Sequence, residues 1–270
     1  MLSYPQLLST DDQALLEALK ALPPFPSHVR HCLITGPEHS GKTSTLFHFA
    51  HSLAVSGKSV YIVCQKAKLE QQPPLLPESI SSKDPAFSRV HIRYLASSAD
   101  LQKFAACLHL LNDFPHAILI DDICSFTDDR GFAQQDRRPK EGDLVKVLAL
   151  LHEAVSAARP VYTADQIQGL GHSRPCLVVT ESIENSAKFL YVLRRWLPLH
   201  LAIREIGAEY CISVLPESAR ALALPQDNLA EVAYTLLPYS SISVTAVRPA
   251  SELSISPGRS VHEHTVAVMQ

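Results

Sequence analysis

No apolar run in this sequence approaches the roughly 20 residues needed to cross a bilayer, and no basic stretch followed by an apolar one opens it. Neither a membrane span nor a secretory leader is expected. The six cysteines, Cys32, Cys64, Cys107, Cys124, Cys176 and Cys211, lie far apart. They lack the short paired spacing that chelates zinc and the density of a secreted disulfide framework, so buried thiols in a reducing compartment are expected. The thirteen histidines are scattered, and the pairs His48/His51 and His262/His264 have no further donors nearby. Packing or surface roles fit them better than metal binding. An excess of one charge is missing as well. The formal net charge is −3, which excludes a surface that is basic throughout and confines any nucleic-acid contact to a local patch.

The chain does have enough apolar residues for a core. Of 270 residues, 46% are hydrophobic and 19% charged, enough for one large domain or two modest ones. Thr10-Asp11-Asp12-Gln13 reads as a capping box, and Leu15, Leu16, Leu19 and Leu22 recur at helical spacing until Pro23-Pro24, which predicts a short N-terminal helix. His31 to Thr35 reads as a strand, Leu46, Phe47, Ala50, Leu53 and Ala54 as one face of a helix, and Ser59 to Cys64 as the next strand, completing a βαβ unit.

Residues 66–88 hold prolines and serines without periodicity and read as an exposed excursion. Val90, Ile92 and Tyr94 alternate with polar residues as in a strand, and Leu101, Phe104, Leu108 and Leu111 trace a helix face. Ala117 to Ile120 and Cys176 to Thr180 read as buried strands, with an amphipathic helix from Leu144 to Val155 between them. The alternation predicts an α/β fold with a mainly parallel central sheet flanked by helices, its later strands antiparallel. The expected organisation is an N-terminal helix and linker over 1–30, a core over 31–247, and a disordered tail over 248–270.

Within that pattern, Gly36-Pro37-Glu38-His39-Ser40-Gly41-Lys42-Thr43 follows a strand and opens a helix. In a Gly-x-x-x-x-Gly-Lys-Thr loop the backbone N–H groups hold phosphate oxygens, and the helix adds its positive end. Lys42 is expected to reach the β and γ phosphates of ATP, and the Thr43 hydroxyl to be a ligand to Mg²⁺. Asp121, at the end of a buried strand, is the expected second holder of the hydrated magnesium ion. A strand is expected between the two motif strands, either Val90 to Tyr94 or Ser59 to Cys64. Hydrolysis also needs a base for water. Gln65 stands where a glutamate would serve, and Asp122 is a shorter candidate, so hydrolysis is expected to be slow.

These segments, together with Arg89 to Tyr94 and Tyr191-Val192-Leu193-Arg194-Arg195-Trp196-Leu197-Pro198, resemble the RecA-like recombinase paralogues. The likeness is strongest to the SWIM-zinc-finger-associated ATPase subunits of Shu complexes. It runs over about residues 31–215 and implies a RecA-like P-loop NTPase core in a nuclear DNA-repair protein. It also implies a SWIM-type zinc-finger partner, single-stranded DNA, and support for a recombinase or its paralogues in homologous recombination. Two positions depart from the recombinase pattern, Gln65 and the Glu181-Ser182 pair after Thr180, and both predict weak, poorly coupled hydrolysis.

The loop after Asp122 offers Arg130, Arg137, Arg138 and Lys140 as DNA-phosphate contacts, diluted by Asp128, Asp129, Asp136 and Glu141. A DNA interface and a solvated mixed-charge loop are both open readings of it. Trp196, at apolar spacing with Leu193 and Leu197, reads as core packing ahead of a partner surface. Two other functional readings stand beside the recombination one. In the first, nucleotide only stabilises a structural subunit; in the second, the chain is a small-molecule kinase whose lid would carry Arg137 and Arg138.

Overall fold

The computed structural model describes residues 2–8, 10–77, 80–81, 83–127, 141–158, 174–186, 188–237 and 241–249. The tail beyond 249, with His262 and His264, and the 128–140 loop lie outside the described residues.

The phosphate-loop strand β1 (His31–Gly36) is buried along its whole length because it lies mid-sheet, paired in parallel with β5 (Cys176–Ser182) on one side and β6 (Leu199–Ile206) on the other. Beyond β5 come β4 (Ala117–Ile120), β2 (Val60–Cys64) and the edge strand β3 (Val90–Tyr94), all parallel. Beyond β6 the sheet turns antiparallel through β7 (Glu209–Val214), β8 (Glu231–Leu236) and β9 (Ile242–Arg248). The order is β3-β2-β4-β5-β1-β6-β7-β8-β9. The strand between the two motif strands is therefore β5, and neither Ser59 to Cys64 nor Val90 to Tyr94 occupies that place. That place brings Thr180, near the carboxyl end of β5, beside Asp121.

Alternation along the strands divides the apolar residues between two layers. Cys32, Ile34, Ala117 and Leu119 face α1 (Tyr4–Leu7), α2 (Gln13–Ala21) and α3 (Lys42–Val55). Leu33, Ile118, Ile120 and Val179 face α5 (Ser98–Cys107), α6 (Glu141–Ala157) and α8 (Leu190–Trp196). The N-terminal segment is part of the first layer: Tyr4 is fully buried and its hydroxyl donates to the Ala230 carbonyl at 2.9 Å. The cap of α2 is Asp12, not Thr10. Its Oδ1 accepts from the Ala14 and Leu15 amides at 2.8 and 3.1 Å, while the Thr10 hydroxyl accepts from the Asp12 amide, because a carboxylate next to the first turn meets two orphan N–H groups at once.

Two further readings change. β3 pairs only with β2, and its Ile92 and Tyr94 are 37% and 48% exposed, so the alternation there marks a bare sheet edge and not a half-buried strand. Residues 66–88 are not simply an excursion. They begin with a short helix, α4 (Lys66–Gln71), whose Leu69 packs on the core together with Leu76, and the Leu75 amide donates to the Ser44 hydroxyl at 2.9 Å. A helix of six residues is too short to leave a periodic signature.

Cys32, Cys64, Cys124 and Cys211 are buried, Cys176 is half-buried and Cys107 exposed. His48 and His51 are also buried, bonded to the Gln6 carbonyl and Asp84. Among the described residues no cluster of donors could hold a metal through histidine and cysteine, and no helix is long and apolar enough to cross a membrane.

Candidate functional site

β1, β4 and β5 run parallel, so their carboxyl ends lie together, the usual position of ligand sites in open α/β sheets. From β1 the chain enters the Gly36 to Thr43 loop and α3. Gly41 precedes the helix at φ +83°, a left-handed turn that glycine makes without cost. Gly36 has no room for a side chain, because a Cβ would lie 2.7 Å from Ile203 Cβ and 2.8 Å from Ser40 Oγ. Pro37 is half-buried, Glu38 and His39 are exposed at the rim, and Ser40 is fully buried. The Ser40 hydroxyl has no hydrogen-bond partner among the described residues.

Lys42 curls back over the loop. Its Nζ donates to the Gly36 carbonyl at 2.9 Å and also to the Pro37 carbonyl. Burial pulls its pKa below the usual lysine value, and the nearby charge of Lys68 adds to this. Thr43 Oγ1 donates to the Asp121 carboxylate, at 2.9 Å from Oδ2 and 3.1 Å from Oδ1. Thr180 at the end of β5 donates to Asp121 Oδ1 at 2.8 Å and accepts from the Asp122 amide at 3.0 Å. The two sequence motifs thus meet directly at Thr43 and Asp121, and Thr180 braces the aspartate from the neighbouring strand.

Asp121 and Asp122 are consecutive but face different partners. Asp122 takes a left-handed conformation, φ +56°, which short polar side chains tolerate, and the bend separates the two carboxylates. Asp122 Oδ2 receives Lys68 Nζ at 2.8 Å, and Oδ1 is buried without a partner among the described residues. Glu181 lies beside it, fully buried, accepting from the Cys124 and Ser182 amides at 2.7 and 2.9 Å. Burial and the Asp122 charge push the Glu181 carboxyl upward, so its protonated form can donate to Asp122. Gln65 caps α4 and spends its amide N–H on the Ser125 carbonyl at 2.9 Å. Of the two positions considered for a base, one is thus an amide engaged elsewhere and the other a carboxylate held by a lysine.

These donors fit a nucleoside triphosphate and its magnesium ion. Glycines keep the loop open, Ser40 leaves a buried hydroxyl unpaired, Lys42 supplies a charge at the loop, and Thr43 with Asp121 forms an oxygen pair of the kind a hard cation takes. Arg130, Arg137, Arg138 and Lys140 lie outside the described residues. Trp196 is half-buried, edge-on to His152 with ring centroids 5.5 Å apart.

Sequence reading missed three contributors, Thr180, Lys68 and Tyr234. Thr180 was visible only as the end of an apolar strand, Lys68 only as a charge in an aperiodic segment, and Tyr234 lies nearly 200 residues from the loop it holds. The Tyr234 hydroxyl, buried on β8, donates to the Ser40 carbonyl at 2.6 Å. Tyr234→Phe leaves that carbonyl without a donor and is expected to cost about 1–2 kcal/mol of stability, read by chemical denaturation, and to weaken nucleotide binding. Unchanged values in both measurements would mean the hydroxyl does not hold the loop.

No family model and no curated protein matches this sequence. Among solved structures, the chain is similar to the flagellar accessory protein FlaH of Methanocaldococcus jannaschii, with a TM-score of 0.52 at 13% identity, over 81% of this chain and 91% of that one. At that identity the likeness concerns the fold alone, an α/β core with a large, mainly parallel sheet flanked by helices.

Proposed function

We propose that this protein is an ATP-binding RecA-like accessory factor of homologous recombination. In this reading it acts in the nucleus with a SWIM-type zinc-finger partner, binds single-stranded DNA, and supports filaments of a recombinase or its paralogues. The observation that carries the nucleotide half is the Thr43–Asp121–Thr180 chain beside the Gly36 to Thr43 loop. The recombination half rests on the resemblance of the segments between residues 31 and 215. Flagellar function, named for the structural neighbour, has only a distant fold in its favour.

ATP would lie with its phosphates on the loop amides and the α3 N-terminus, near Lys42. Bound magnesium, held by Thr43 and Asp121, would supply neutralising charge between the phosphates. Gln65 is an amide with its N–H turned to the Ser125 carbonyl, so the position after β2 offers no base for water, and nucleotide serves as a switch more than as fuel. That same observation favours the second reading, a structural subunit stabilised by nucleotide.

The experiment is equilibrium binding of fluorescent single-stranded DNA, with and without ATP, alongside ATP turnover. The expected results are nucleotide-dependent DNA binding and hydrolysis far below the ~10 per second typical of enzymes. Replacing Arg137 and Arg138 by glutamate is expected to flatten the log–log salt dependence by about 1.4, from two lost phosphate contacts. Turnover at enzyme-typical rates without a partner contradicts the switch, and DNA binding indifferent to both nucleotide and charge reversal contradicts the recombination reading. Turnover on a small acceptor with no response to DNA would point to a kinase.

A further inference from the structure

Lys68 belongs to neither motif, yet its ammonium stands inside the site. It projects from α4, three residues beyond Gln65, to within 2.8 Å of Asp122 Oδ2 and 3.9 Å of Asp121 Oδ2. Asp121 Oδ2 is in turn 2.9 Å from the Thr43 hydroxyl. Only one carboxylate therefore separates Lys68 from the group expected to hold magnesium. Among the described residues no other basic side chain forms an ion pair with either aspartate.

A plain structural role, pinning α4 to the end of β4, explains the contact poorly. The Lys68 side chain keeps 32% of its surface exposed while its acceptor is only 13% exposed, so the ammonium can swing away from Asp122 without leaving water. Its acceptor stands at a left-handed bend, φ +56°, that turns Asp122 toward α4. Electrostatics adds a reason. Asp121 and Asp122 already stand side by side after β4, and a triphosphate would add more negative charge beside them. Lys42 is buried over the loop, whereas Lys68 rides on a flexible four-carbon stem from the partly open side.

On the nucleotide reading above, we infer that Lys68 is a second phosphate-binding cation, which leaves Asp122 for the terminal phosphate of ATP and so distinguishes ATP from ADP. With ADP no γ-phosphate competes, and Lys68 stays on Asp122. The residue immediately after β2, where a hydrolytic ATPase would hold a base, has its amide turned to Ser125. One turn further along, this chain presents a cation, which fits a site that senses the triphosphate.

The test is calorimetric titration of the full chain, in magnesium, with ADP and with the non-hydrolysable β,γ-imido analogue of ATP. Lys68→Ala is expected to lose about tenfold in affinity for the triphosphate and less than about twofold for ADP, as the loss of one charge-assisted contact requires. Lys68→Arg keeps the preference. Equal losses for both nucleotides indicate a structural pin and overturn the inference, as does unchanged or tighter triphosphate binding. The ADP titration also reports folding of each variant. If the wild type binds neither nucleotide, the nucleotide reading falls first and this inference with it, an outcome distinct from failure of Lys68 alone.

Discussion

Lys42→Ala is expected to weaken binding of ATP by about 100-fold, the effect of removing a largely desolvated charge from its counter-charge. The loss should extend to ADP, since in the proposed site Lys42 would reach both the β and γ phosphates. This sets it apart from Lys68→Ala, whose effect falls on the triphosphate alone. The fold should survive. Lys42 is 8% exposed and its own burial disfavours its charge, so truncation removes two hydrogen bonds to loop carbonyls and a costly cation together. Titration calorimetry with a melting curve checks both halves. Nucleotide affinity within twofold of wild type would show that Gly36 to Thr43 is a glycine turn with a lysine beside it and nothing more. In cells lacking the protein, full rescue by Lys42→Ala would favour a structural subunit for which nucleotide is dispensable.

The second large effect is on acid stability. His31, His48 and His200 are 7%, 4% and 2% exposed, and burial lowers each ring's pKa to about 4, helped at His31 by His152 and Arg30, and at His200 by Arg194. In the unfolded chain these rings titrate at about 6.5. Between those values the unfolded state binds more protons than the folded one. The stabilisation is therefore complete above about pH 6.5 and is lost as pH falls toward 4, by on the order of 3 kcal/mol per ring at the upper limit. The upward shift of Glu181 acts in the opposite sense, favouring the folded state at lower pH.

Urea midpoints at pH 7 and 4.5 should therefore separate widely for wild type and less for His48→Asn, which keeps a donor for the Gln6 carbonyl. A midpoint that does not move between these pH values would mean the rings are protonated within the fold. His200 has a further consequence, because its Nε2 lies 2.7 Å from the Thr35 hydroxyl, next to the start of the phosphate loop. Acid that charges this ring acts on the strand that carries the site.

Much of the site could be read from sequence, because its parts are local. Gly36 to Thr43 is one unbroken loop with the spacing that backbone contact with phosphate requires, and Asp121 follows a strand that advertises itself by four apolar residues. Where contacts are long-range or the element is short, the reading failed in characteristic ways. The place of β5 between β1 and β4 is a matter of crossover topology, to which local periodicity is blind. β3 alternates like a half-buried strand but forms the sheet edge, since alternation records a pattern and not what covers it.

The sequence by itself determined that a strand, a glycine loop and a helix would present Lys42 and Thr43, because those residues are neighbours in the chain and steric rules act over a few bonds. It also placed an amide, Gln65, directly after the second strand of the βαβ unit. Only the tertiary structure decided that Thr180 joins Asp121 to the site, that Tyr234 holds the loop, and that Lys68 neutralises Asp122. Those contacts join residues from 54 to 194 positions apart, and nothing short of the folded sheet brings them within hydrogen-bonding reach.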